Sequence, residues 1–368
     1  MRICESFRHA SAATRLLPAA FAVVLASYAA AGQAQPTAFL PGPFANGTTV
    51  PANGDLNPYG VAFVNANFQD PDSLIKAGVV LVSNFNNSAN LQGTGSTIVG
   101  FGPKGKPGGK WFQGSSGIGL STALGILQKG FIVVGNAPST NGQSSTAGPG
   151  SLLVINNEAK LVQTITDPNI QSPWDMTLVD NGATAIAFIS NALTGNVSRL
   201  NFNVTAGGLT LTSSTVIASG YVHRGDPVTF FVSPTGLVYD APSGNLYVAS
   251  TGDNEVFVIA NAATISSDAG MGTVVYQDDV HLHGPLAMVE APNGHLLVSN
   301  NDGINPDPNQ PSEIVEFTKQ GAFVKELSVD PNPGGAFGMA IYTVGDVATF
   351  AAVDDNTNSL LMWTLDLN

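Results

Sequence analysis

One order of strands recurs six times between Pro58 and Leu365, and nothing else in the chain restricts its fold as tightly. The clearest copy is "PTGLVYDAPSGNLYVASTGDNEVFVI", Pro234 to Ile259. A small apolar strand passes a Gly-Asn turn into a strand rich in β-formers; a polar tip follows, and a third strand returns. First strands of the same kind begin at Pro58, Thr122, Ser172, Gly284 and Ala336. Their second strands are "GVVLVSN", "GFIVVGN", "AIAFISN", "HLLVSNN" and "ATFAAVD". The third strands are "STIVGFG", "SLLVINN", "NVSRLNF", "EIVEFTK" and "SLLMWTL". An outer strand is clear in four copies, as "LVQTITD", "STVIASG", "TVVYQDD" and "FVKELSV", and poor in the first, near "KWFQG".

The copies recur about every 50 to 64 residues, the period of a four-stranded propeller blade. The expected fold is therefore all-β: a six-bladed β-propeller of four-stranded antiparallel blades. No outer strand follows the sixth copy, and the strand-like "TAFLPG", Thr37 to Gly42, is expected to supply it and close the ring. Closure removes the open edge that would invite aggregation. With 41 Gly, 23 Pro and only 11% charged residues, the composition favours strands and tight turns over helices.

The repeats resemble those of NHL-repeat β-propellers. The Pro234 to Ile259 copy carries the family's Pro-x-Gly, Gly-Asn and Asp-Asn landmarks, and "APNGHLLVSNNDG" from Ala291 matches its middle. The other copies match as hydrophobic pattern only. Where the family usually carries Arg after the tip Asn, this chain has Glu255. The resemblance implies the six-bladed ring; the departure speaks against kinship with the basic, RNA-binding members. Gluconolactonase-like propellers resemble the chain in fold only, since Asn57-Pro58-Tyr59-Gly60 stands where their opening Glu belongs.

Ahead of the repeats, Arg2, Arg8 and Arg15 precede the apolar run Leu16 to Ala31, followed by "GQAQP". This is the tripartite pattern of a secretory signal, with Gly32 and Ala34 as small residues at the −3 and −1 sites. The run carries Pro18 and is short for a membrane span of about 20 residues. The expected organisation is a signal peptide over residues 1–34 and one propeller domain over 35–368, in a secreted or periplasmic protein with no stable membrane insertion after cleavage. Cleavage would remove Cys4, the sole cysteine, and with it any disulfide. It would also remove three Arg and one Glu, leaving 10 basic against 25 acidic residues, a balance of −15. Such a surface repels nucleic acid, so proteins, glycans, small molecules or cations are the expected partners.

In such a blade the tips between strands two and three share a face with the connections between blades, and here both are long and rich in Asn and Asp. Asn84, Asn136, Asn191 and Asn300 recur at the end of strand two, with Asp354 at or near the sixth equivalent. Two readings fit them: a structural ring satisfying neighbouring backbones, or oxygen acceptors around a ligand mouth. Asp302 lies in "NDGINPDPNQ", Asn301 to Gln310, which looks superficially like a calcium loop but lacks the EF-hand pattern and its closing Glu. His281 and His283 in "VHLHG", with His223 from the preceding blade connection, form a candidate set for a divalent cation such as zinc. Asp175, in "SPWDM", is the acidic residue set inside an apolar first strand and thus near the channel. It is a candidate catalytic or ligand-binding carboxylate, as His281 and His283 are candidate catalytic groups; its structural alternative is a stitch between blades. "RGD" at Arg224 to Asp226 is a chance match.

No nucleophile elbow, phosphate loop or zincin helix occurs. The leading reading is a binding or interaction module working through the Asn/Asp/His-rich face. The alternatives are a metal-dependent lactonase- or lyase-like enzyme and a structural envelope or matrix protein. Mass spectrometry of the exported protein should find its N-terminus at or near Gln35; an intact Met1 would refute the signal peptide.

Overall fold

The computed structural model describes residues 36–40, 45–68 and 73–367. The expected signal peptide and residues 41 and 42 lie outside them. Six four-stranded antiparallel sheets are arranged as blades around one axis. Their innermost strands are Leu56–Phe63, Leu120–Leu127, Pro173–Asp180, Pro234–Asp240, Pro285–Glu290 and Ala336–Val344, for blades 1 to 6. In each blade the strands run outward in chain order, and blade 6 takes its outer strand from the N-terminal side. Among the described residues, no helix is long and apolar enough to cross a membrane.

Alternation along the strands puts two apolar faces on each sheet, and each pair of neighbouring blades buries a core between them. Leu124, Ile132 and Leu153 of blade 2 meet Leu81 and Ile98 of blade 1. Leu297 and Ile314 of blade 5 meet Phe350 and Trp363 of blade 6. Because every blade is sandwiched this way, no sheet has a solvent face, and the second and third strands read as nearly unbroken apolar runs.

The innermost strands share a defect. Each pairs with its second strand in regular register except for one bulge near its start, between Pro58 and Val61, Leu120 and Leu124, Pro173 and Met176, Pro234 and Leu237, Pro285 and Met288, and Ala336 and Met339. A bulge frees backbone groups and re-aims side chains. In blades 1, 3 and 5 the freed amide is taken by a serine of strand two: Gly60 N donates to Ser83 Oγ at 2.9 Å, Asp175 N to Ser190 Oγ at 2.9 Å and Ala287 N to Ser299 Oγ at 3.0 Å. This is why strand two carries Ser-Asn in these three blades.

Ring closure uses a later segment than the sequence suggested. The strand paired with Ser359–Asp366 is Ala45–Thr48, in register Ala45 with Met362 through Thr48 with Ser359. The residues Phe39 and Leu40 of "TAFLPG" instead wedge between blades 5 and 6. Their amides donate to the buried Glu316 carboxylate at 2.7 to 2.9 Å, and the Phe39 ring meets Phe350 edge-on at 6.1 Å. An outer strand needs only backbone pairing, so "ANGT" serves as well as any apolar stretch, while "AFL" is used for its side chains.

Gly47 separates the two closures experimentally. A Cβ there would stand 2.9 Å from the Gly105 carbonyl oxygen and 3.1 Å from the Phe101 ring of blade 1. Gly47→Val should lower stability by roughly 1–3 kcal/mol, read as a fall in melting temperature, whereas Thr37→Val at an exposed position should leave it unchanged.

Candidate functional site

In every blade but the second, where it carries three, the bulge carries two residues, and the ring sorts them. The first of each pair in blades 1, 3, 5 and 6 is Tyr59, Trp174, Leu286 and Phe337, which turn toward the axis at the end where the inner strands begin. They join Phe85 and two further rings, Phe230 and Phe231. The last two come from a hairpin, Arg224–Asp226 paired with Phe230–Val232, inserted in the connection from blade 3 to blade 4. Its turn is built by Asp226, whose Oδ1 accepts from Val228 N at 2.8 Å and Thr229 N at 3.0 Å. Gln92 of the blade 1 tip donates to Val228 O at 2.9 Å. Phe230 stacks on Trp174 at 6.1 Å and meets Phe85 edge-on at 5.2 Å; Phe231 meets Trp174 edge-on at 5.2 Å. Phe230 holds a left-handed φ of 66°, a conformation unfavourable for a bulky residue and sustained by its complete burial. These rings plug one end of the axis.

Below the plug lies a channel of ≈ 400 Å³, lined by the inner strands of all six blades. It reaches from Thr122 and Asp175 near the plug to Asn65, Tyr239, Glu290 and Ile341 at the turns between strands one and two. Each inner strand is paired on one side only, so unpaired backbone groups border the channel between apolar side chains. Lys319 flanks the mouth: its Nζ stands 2.6 Å from Glu290 and 3.1 Å from Asp240, tying blade 5 to blade 4.

The second bulge residue faces the neighbouring blade, and in blades 3, 5 and 6 it also lines the channel. It is Gly60, Gly236, Ala287 and Gly338 in blades 1, 4, 5 and 6. The glycines have no room for a side chain: a Cβ at Gly236 would lie 2.5 Å from Leu286 O, and one at Gly338 1.8 Å from Tyr59 O. In blade 3 the equivalent residue is Asp175. Its carboxylate accepts from Met176 N at 2.7 Å and from the backbone amide of Leu237, in the bulge of blade 4. It is both the interblade stitch and a channel-lining carboxyl, deep in the molecule but with part of its surface on the channel. Burial pushes its pKa up to about 8, against the pull of those two amides. Below that pH the carboxyl keeps its proton and can donate a hydrogen bond into the channel.

The strand-two asparagines belong to the scaffold. Asn84 donates to Thr49 O at 3.0 Å, Asn136 to Ile118 O at 2.9 Å, Asn191 to Asn169 O at 3.2 Å and Asn300 to His281 O at 2.8 Å. In each case the acceptor lies in the segment that leads into the same blade's inner strand. In blade 4 Asn254 takes a related part, donating to Leu282 O at 2.9 Å and accepting from Gly284 N at 2.9 Å. Of the two sequence readings, the structural ring fits these contacts, and the buried amides do not surround an open axial mouth. Asp354, buried, accepts from Asn356 N at 3.0 Å and from Thr357 Oγ1. Asp302 Oδ2 accepts from Ser312 N at 3.0 Å and Gly334 N at 2.7 Å, joining blade 5 to the connection toward blade 6.

The three histidines are not brought together, and among the described residues no three His, Cys, Asp or Glu side chains form a metal-holding group. His223 is exposed, with Nδ1 3.1 Å from Tyr221 O. His281 stacks on Phe323 at 3.8 Å and bonds Glu326 at 2.8 Å, facing the outer strand of its blade. His283 is buried, with its two ring nitrogens against Asn305 O at 2.5 Å and Val280 O at 3.1 Å. Backbone carbonyls face both ring nitrogens of His283, and each of the three rings is turned to its own separate partner. The expected three-histidine metal centre is therefore corrected: adjacent loop ends send the rings to different partners. The turn within Asn301 to Gln310 is likewise self-satisfied at Asp307, whose Oδ1 accepts from Asn309 N at 2.8 Å.

Neither a protein-family model nor a curated protein matches the chain. Solved structures do. A luciferin-regenerating enzyme aligns over 88% of this chain and 95% of its own, with a TM-score of 0.53 and 11% identity. An α-L-arabinofuranosidase from Fusarium graminearum, in complex with an iminosugar inhibitor, aligns over 89% and 99%, with a TM-score of 0.53 and 13% identity. A functionally unknown protein from Desulfotomaculum acetoxidans aligns over 84% and 83%, at 0.50 and 16%. At such identities the likeness is one of fold, and the chain is a six-bladed β-propeller.

Asp175 gives a pH signature. Its carboxyl binds a proton more tightly folded than unfolded, so its contribution is full below 3.8 and is lost as pH rises through about 8. Melting curves of Asp175→Asn should lack that decline, so the variant gains on the native protein across this interval and holds its advantage above it. Parallel curves for the two proteins would show that Asp175 does not titrate there.

Proposed function

We propose that this chain is an exported, NHL-like propeller that binds a small molecule in its central channel. Entry is from the face of the turns between strands one and two, because the aromatic plug occupies the other end. The observation that carries this reading is the carboxyl at Asp175, set where four other blades have Gly or Ala and facing a one-ended channel. A volume of ≈ 400 Å³ lies within the range of small-molecule pockets. Its lining, more polar than apolar where it meets the channel, suits a compact neutral molecule with polar edges and a hydrogen-bond acceptor at the end that enters first. Asp175 donates to that acceptor, and unpaired backbone groups of the inner strands hold the flanks. The exported address rests on the N-terminal tripartite pattern, and the NHL kinship on the landmarks between Pro234 and Ile259.

A thermal-shift screen of small neutral compounds against the native protein tests the reading. A compound that binds should lose about 10- to 100-fold in affinity on Asp175→Ala, the cost of one buried hydrogen bond, and nothing on shortening the 301–311 tip. Binding that survives Asp175→Ala but fails on shortening that tip would return the working surface to the loop face.

A further inference from the structure

The tip of blade 5 leaves three acceptor oxygens buried without a donor: Asn300 Oδ1, Asp302 Oδ1 and Glu313 Oε1. They belong to neighbouring residues. Asn300 ends strand two, Glu313 begins strand three, and Asn300 Nδ2 donates to Glu313 Oε2 at 3.1 Å. Asn300 is 0% and Glu313 2% exposed. The amide of Asn300 is oriented by its two bonds, to His281 O and to Glu313, which leaves its oxygen facing no donor. Asp302 is held by Ser312 N and Gly334 N through Oδ2 alone. Beyond Ser312 the acidic surroundings continue through Asp330, Asp354 and Asp355. No lysine or arginine ion-pairs with any of these five carboxylates among the described residues.

Buried carboxylates of one sign with orphan oxygens call for a positive charge among them. His283, the basic side chain nearby, is turned to backbone carbonyls. We propose that Asn300, Asp302 and Glu313 are side-chain ligands of a calcium ion that clamps the two ends of the blade 5 tip. The donors are all oxygen, two carboxylates and an amide, which is the set that a hard cation with loose geometry selects; a soft or nitrogen-seeking metal would find nothing here. The site lies off the axis and does not touch the channel. It also differs from the tip sequence Asn301 to Gln310 in that its closing ligand, Glu313, lies beyond the tip.

Chelator-treated protein titrated with calcium chloride, followed by calorimetry and by melting, tests this. The expected result is one saturable site per chain and a rise in melting temperature on saturation. Glu313→Gln keeps the shape and the bond to Asn300 but removes a ligand charge. It should weaken calcium binding at least ~10-fold and, in chelator, melt no lower than the native protein, since repulsion from Asp302 is relieved. Asp302→Asn should weaken calcium in the same way. No saturable binding to the native protein would overturn the site, with a shared proton as the occupant instead. Undiminished binding to both variants would overturn the assignment of its ligands.

Discussion

Six strand edges that nothing pairs set the terms for this molecule. Each blade ends at the axis in a strand bonded on one side only, and a ring of such edges must be hydrated, covered or drawn apart. The protein does all three along one line. At one end the edges are bulged, and the side chains released by the bulges form a dry aromatic plug. At the other they stand back and leave a channel bordered by backbone. Between the two, small residues in most blades let inner strands come within backbone contact, and the exception, Asp175, puts a carboxyl where its neighbours have little or no side chain. Structure and candidate site thus come from one repeated irregularity.

The two faces use polar residues differently. On the plugged face, amides and carboxylates are spent on one another and on the backbone. Asn84, Asn136, Asn191 and Asn300 anchor entering segments, and Ser83, Ser190 and Ser299 satisfy bulged amides. This accounts for the regular recurrence of Ser-Asn without a ligand, since an amide offers both a donor and an acceptor to a chain that is changing direction. Blade 1 leaves the Asn84 and Asn86 amide oxygens without a donor, and blade 5 goes further, because its asparagine shares a carboxylate and carboxylate oxygens too are left spare.

Much of the architecture was legible because the inner three strands of every blade bury both faces, so their apolar runs and small-residue starts stand out in the chain. The outer strands lie at the rim and need only backbone pairing; "KPGGKWFQ" and "ANGT" carry little pattern, so only the last part of the first reads as a strand, and the apolar stretch from Thr37 reads as one more readily than the true closing strand. The plug was harder to read, since Phe230 and Phe231 sit in a connection that otherwise looks like a polar loop. Two adjacent aromatics just before an inner strand were the signal available. Asp175 was identified from its apolar setting, yet its meaning depends on alignment with Gly60, Gly236, Ala287 and Gly338, which the bulges define. The histidines misled because nearness in sequence, or equivalent position in two connections, does not fix the direction of a ring.

Closure by Ala45–Thr48 has a consequence in time. The strand it pairs with begins at Ser359, so the ring cannot be completed until almost the whole chain is free to move. Bringing such distant segments together must be achieved before the contacts that reward it exist, which makes assembly slow. The same separation works in reverse once the ring is shut: opening it requires the last blade to give up a strand and Glu316 to release Phe39 and Leu40 together. A chain crossing a membrane unfolded would keep its incompleteness until it has emerged, and then hold its shape by the difficulty of undoing the final step.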